Sequence, residues 1–221
     1  DLSEFPVSTS RIKQDQSLIT QEFRWESEGQ DNPVDWRTGI FFMDKDTSGE
    51  TTRVFPIPGL SPAFTEDTTF SIDEREIAAY GHAFFNISKE LVLDIGVRAQ
   101  ETDTSINRLK TSLFGVAPVI DDQSDTYLST SAGFDFNLSD YLSVFGRSAT
   151  GFKPRGYSAF INMPSMAAFA DESSLSNEIG FAFAAIDDTV ELRITGFDIS
   201  IDDYQLERSV PQSTDYLVIN A

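Results

Sequence analysis

Apolar and polar side chains alternate along most of this chain with a period of two. Ile19, Phe23 and Trp25 share one face of an early run, with Glu22, Arg24 and Glu26 opposite. Val34, Trp36, Thr38, Ile40 and Phe42 line a second run against Asp35 and Arg37. Ile77, Ala79, Ala83 and Phe85 then alternate with Tyr80, His82 and Asn86, and Leu91, Leu93, Ile95 and Val97 with Asp94, Gly96 and Arg98. The beat continues through Leu128–Phe136, Tyr141–Thr150 and Glu178–Ala184. Such alternation predicts β-strands with one apolar face. In the eighth run Val190, Leu192 and Ile194 are in phase, but Phe197, Ile199 and Ile201 are not, which predicts a β-bulge near Thr195-Gly196.

The connections alternate in length. Short turns are predicted at 28–33, 87–89, 138–140 and 185–188. Between them lie long polar segments at 44–73, 101–125 and 152–172, and a fourth after the eighth run. Residues 1–16 carry little pattern. This rhythm predicts an all-β, antiparallel up-and-down meander forming the wall of a transmembrane β-barrel. A strand of about 10 residues tilted near 45° rises roughly 24 Å, the height of a barrel's apolar band. The same period would suit a soluble acidic β-sandwich with its apolar face inside, a carbohydrate-binding module using Trp25 and Trp36 as stacking platforms. A passive outer-membrane porin shares the strand physics as well.

Charge and composition narrow the classes. A net charge of −20 excludes a nucleic-acid partner and docking on an anionic membrane surface. Without cysteine there are no disulfides or thiolate metal sites, and one histidine cannot build a His-based zinc site. No run of about 18 apolar residues offers a transmembrane helix, which leaves a barrel open. Asp44–Gly49 opens like an EF-hand loop, yet Phe55 stands where the bidentate Glu belongs. His82 has no neighbour in sequence suggesting a triad. Gly151–Gly156 lacks the Gly-Lys-Ser/Thr ending of a phosphate loop. No catalytic residue, metal ligand or cofactor site is therefore expected, and no enzyme activity.

Several segments, in order, resemble the C-terminal barrel half of TonB-dependent outer-membrane receptors, the siderophore-receptor family. They are Gln21-Glu22-Phe23-Arg24, Val34–Phe41, Ala78–Ala83, the element Arg147–Tyr157 around Gly151-Phe152-Lys153, Asn177–Gly180, Phe197–Leu206 with Gln205, and Val218–Ala221. Arg155 departs from the pattern, since the family usually has Gly there. The resemblance implies a barrel of about 22 strands with long extracellular loops and short periplasmic turns. On this reading residues 1–221 are a partial barrel domain, without the N-terminal plug, its TonB-contacting segment and the closing strand. It also implies a location in the bacterial outer membrane and uptake of a ferric siderophore or similar scarce nutrient. The inner-membrane TonB complex, acting through the plug, and outer-membrane lipid are the further partners.

Two residue sets follow. Glu22, Arg24, Arg37, Arg98, Arg147, Glu178 and Arg193 fall on the lumen-facing phase, as a salt-bridge lattice that holds the wall and contacts the plug. Arg155, Tyr157 and Phe160, on the long-loop side, are candidates for ligand contact, because cationic and aromatic groups suit iron chelates.

Overall fold

The computed structural model describes residues 9–27, 32–55, 64–113, 115–159, 167–185, 190–209 and 216–221. Twelve strands account for the described secondary structure: β1 (Thr9–Glu26), β2 (Val34–Phe55), β3 (Phe64–Asn86), β4 (Leu91–Ser112), β5 (Gly115–Ser139), β6 (Leu142–Lys153), β7 (Gly156–Tyr157), β8 (Ala168–Phe169), β9 (Glu172–Ala185), β10 (Val190–Asp202), β11 (Gln205–Ser209) and β12 (Tyr216–Asn220). Eight of them form one antiparallel sheet in the order β1-β2-β3-β4-β5-β6-β9-β10, and β7/β8 and β11/β12 are separate two-stranded pairs. The chain is thus all-β and meanders without a crossover, as the alternation predicts. One short turn is visible in detail: Ser88 Oγ accepts from the Glu90 and Leu91 amides while Ile87 N–H donates to Leu91 O. The predicted turns at 28–33 and 185–188 fall largely outside the described residues.

The strands are much longer than the apolar runs suggest. The segments expected to be polar loops at 44–73 and 101–125 are mostly strand: β2 and β3 pair from Val34↔Phe85 to Phe55↔Phe64, and β4 and β5 from Leu91↔Phe136 to Ser112↔Gly115. Residues 9–16 likewise belong to β1. Asp44–Gly49 runs straight through β2, so its side chains alternate between the two faces and cannot wrap one cation as a calcium loop does.

The reason these extensions are not apolar-patterned is a change of phase. Near the short turns, Phe23, Trp25, Ile40, Ile77, Ile95, Val97, Leu128 and Ile179 stand exposed on the outward face. Farther along, the outward register positions become Asp44, Asp46, Asp73, Asp103 and Asp122, while the apolar residues Phe70, Ile72, Ile106 and Val119 turn inward. An outward face that changes from apolar to acidic marks the end of a lipid-facing band. Strand β10 changes phase in the same way. The expected bulge at Thr195-Gly196 is absent, because the register with β9 is unbroken from Val190↔Ala185 to Asp202↔Ser173. Val190, Leu192 and Ile194 face outward, and Phe197, Ile199 and Ile201 face inward. The sheet's register shift lies elsewhere, between Asn137 and Ser139.

Candidate functional site: the inward wall and its loop layer

The inward face of the band carries polar groups placed by strand register alone. Glu22, Arg24, Arg37, Arg98, Arg147, Glu178 and Arg193 all fall on this face. The structure brings four of them together. Tyr80, which the sequence reading left out of the set, is the hub: its hydroxyl donates to Glu22 Oε1 at 2.5 Å and accepts from Arg24 Nε at 3.2 Å. Arg24 Nη2 also reaches Glu22 Oε2 at 2.9 Å. Arg98 pairs with Glu76, donates to Gln100 Oε1 and lies over the Phe41 ring. Arg37 pairs with Glu26 at 3.2 Å. Glu22, Arg24, Arg37, Tyr80, His82 and Arg98 line one open groove. His82 Nε2 is 2.7 Å from Asp94 Oδ1, an ion pair or a neutral hydrogen bond according to the imidazole's protonation.

The other three do not line the groove, although Arg147 sits on β6, whose Ala149 and Thr150 do. Arg147 sits between Gly133 and Glu178 in register and donates to Ser131 Oγ at 3.4 Å. The Arg193 guanidinium lies 3.9 Å from the centre of the Phe145 ring, a cation–π contact. Five arginines thus share the inward surface with about as many carboxylates, and Arg24, Arg37 and Arg98 are paired with Glu22, Glu26 and Glu76, so the wall is a lattice of charge-assisted contacts.

At the long-connection end the inward face is covered. Tyr157 from β7, Ala167 beside β8 and Leu217 from β12 form one core with Ile106 and Val119 of the wall, flanked by Ile72 and Ile219. Beneath this layer Glu66 is 3.5 Å from Lys110 and 3.9 Å from Arg53, and Arg108 donates to Ala159 O. Lys110, Arg108 and Glu66 are all buried.

The loop candidates have structural partners here. Arg155 Nε is 2.6 Å from Asp125 of β5 and its Nη2 is 3.5 Å from Asp171, while its backbone N–H donates to the Tyr127 hydroxyl. Tyr157 is buried in the loop-layer core rather than displayed. Burial pushes its phenol up to about 12, and nearby Asp121 and Asp122 act in the same direction, while the Gln123 amide acts against them. Phe160 lies outside the described residues. No motif in the sequence points to Asp125 and Asp171 as partners, since neither stands near Arg155 in a recognisable pattern.

The sequence matches the family described as TonB dependent receptor-like, beta-barrel, over residues 5–221. The chain belongs to this family. A comparison with curated proteins finds no match. Among solved structures, the chain is similar to the ferric yersiniabactin uptake receptor FyuA from Yersinia pestis, with TM-score 0.79, 20% identity, and coverage of 91% of this chain and 31% of that one. It is also similar to the alcaligin outer membrane receptor FauA from Bordetella pertussis, with TM-score 0.56, 15% identity, and coverage of 97% and 35%. A third is the ferric-catecholate import receptor Fiu from E. coli K12, with TM-score 0.52, 13% identity, and coverage of 99% and 41%. At such identities the likeness is one of fold. The chain spans 31–41% of the length of these structures.

A TonB-dependent receptor barrel accounts for the outward apolar band. It also replaces the sandwich alternative: eight of the described strands form one large sheet whose apolar side stands exposed, with Trp25 and Trp36 on it. The family and its solved members named here are transport receptors of the bacterial outer membrane rather than enzymes.

Proposed function

We propose that this chain is part of the barrel wall of an energy-coupled outer-membrane receptor that takes up a ferric siderophore or a similar scarce nutrient. The observation that carries this reading is the loop layer. Connections from the long-loop end fold inward and pack a core on the barrel's inner face. A passive porin needs an open aqueous path, whereas a receptor needs a built surface at its mouth and a gated interior. The polar inward wall, where Arg24, Arg37 and Arg98 are paired with Glu22, Glu26 and Glu76, supports the same reading, because a charge-paired surface of this kind suits contact with a polar plug.

On this reading the complete barrel has about 22 strands, the long connections are extracellular and the short turns periplasmic. Transport then depends on a plug domain and the inner-membrane TonB complex. The test is uptake of radioactive iron by cells carrying the full gene, supplied in turn with catecholate, hydroxamate and carboxylate chelates. Uptake of one chelate class, abolished by a protonophore, is the expected result. Entry of small solutes of any chemistry, graded by size and indifferent to the protonophore, would replace the receptor with a porin.

A further inference from the structure

Gln205 and Asn220 face each other across β11 and β12, and both reach out of their own hairpin. The Gln205 amide nitrogen donates toward Pro154 O and Ala170 O, each at 2.9 Å, with Lys153 O at 3.4 Å. Its backbone N–H donates to the Glu172 carboxylate at 2.7 Å. The Asn220 amide nitrogen lies 2.8 Å from Asp203 O, 3.0 Å from Ala170 O and 3.2 Å from Asp171 O, and its Oδ1 accepts the Ala170 N–H at 2.9 Å. Both side chains therefore converge on the peptide groups of Ala170, in the connection that follows β6.

Few side chains could do this. A carboxamide offers two donors on one planar nitrogen, so it can satisfy several carbonyls that would repel a carboxylate. Gln205 is itself buried, and a buried amide without partners would be costly. The hairpin is brought to this point by a sharp departure from β10, where Asp203 adopts a positive φ of 55° and Tyr204 and Ala221 exchange backbone hydrogen bonds. Farther along, the Val218 N–H donates to Ser158 Oγ at 2.9 Å, and Leu217 enters the core beside Tyr157 and Ala167.

We infer that Gln205 and Asn220 are positioning residues that lock the described parts of the connection after β6, 154–159 and 167–171, to 203–209 and 216–221 after β10, so that these segments form one rigid face instead of two independent ones. That this face meets the ligand rests on the receptor reading above; the lock itself does not.

The experiment is hydrogen–deuterium exchange on the full-length receptor in detergent, with no ligand added. In the unmutated protein the amides of 156–158, 168–170 and 205–209 should open together. Rates differing by more than about tenfold between the two connections would overturn the lock, because one cooperative unit has one opening free energy. In Gln205→Glu and Asn220→Asp, each checked for a closed barrel by its gel shift on boiling, exchange at 167–171 should rise about tenfold, the effect of losing one to two net hydrogen bonds. The strand at 91–99 should be unchanged. Faster exchange confined to 203–209 and 216–221 would show a hairpin that holds only itself. Failure of chelate uptake would refute the receptor reading and leave this result standing.

Discussion

The ring of Tyr80 lies over Gly39, its register partner on the neighbouring strand, so closely that a Cβ there would come within 2.5 Å of the phenol carbon and oxygen. The missing side chain is what lets Tyr80 lie flat on the wall and reach Glu22 and Arg24 of β1, one strand beyond. Aromatic cover over a strand glycine also shields backbone that would otherwise be exposed.

Gly39→Ala should therefore displace Tyr80 and cost about 1–3 kcal/mol as an overpacked contact, since the Phe23 carbonyl only 2.8 Å away leaves no second route. The midpoint of the heat-modifiable gel shift should fall. Gly39→Ala combined with Tyr80→Ala should recover only the part of the loss that the ring causes, because the Phe23 carbonyl stays in place. A double variant no more stable than the single one would place the strain in the backbone instead.

Depth along the strands gives a second test. Ile95 and Ser124 both point outward, but Ile95 lies within the apolar band and Ser124 beside Asp103, beyond the phase change. Ile95→Arg should cost about 2–4 kcal/mol of folding free energy in a bilayer and Ser124→Arg about 0–1. Denaturant titration of the full-length barrel in lipid vesicles measures both. Equal penalties would mean that the band does not end where the aspartates begin. Trp25 and Trp36 should likewise be quenched by brominated lipid.

The band was legible in the sequence because lipid allows almost no exceptions on the face it touches, so Leu91–Val97 and Leu128–Phe136 alternate cleanly. The strand extensions were not. There the outward face meets water and the inward face mixes Ile106 and Val119 with buried Thr51, Thr68, Thr102 and Thr104, a pattern that reads as loop. The slip in β10 was a real phase change, but its cause was a change of surroundings rather than a bulge. Arg155 and Tyr157 were visible as unusual residues in a loop. Their roles depend on Asp125, Asp171 and Leu217, far away in sequence, and no local pattern encodes those contacts.

Tyr157 predicts a pH dependence confined to the loop layer. Its folded phenol titrates near 12, above its ordinary value of 10.0. The unfolded layer therefore loses this proton first as pH rises. The contribution of Tyr157 is intact below about pH 10 and is lost progressively between pH 10 and about 12. Limited proteolysis of the connections with an alkali-tolerant protease should show increasing cleavage across that window. Tyr157→Phe should flatten the part of the rise that belongs to this residue. An unchanged profile in the variant would assign the alkaline loosening to other groups.

Glu66 offers the sharpest separation of layer from wall. Its carboxylate is shared by Lys110 at 3.5 Å and Arg53 at 3.9 Å, and both Glu66 and Lys110 are almost wholly buried beneath the inward-folded connections. Removing one member of a buried pair leaves charge in a poorly solvated place, a change that costs about 3–5 kcal/mol. The cheapest relief is for the layer to lift and admit water, since the strands below are held by their own ladders. Glu66→Ala should thus make 154–159 and 205–209 protease-sensitive while the gel shift on boiling persists. Glu66→Asp, which keeps the charge, should restore much of the resistance. If Glu66→Ala instead abolished the gel shift, the layer and the barrel would be one cooperative unit, and the inward-folded core would be part of what closes the wall.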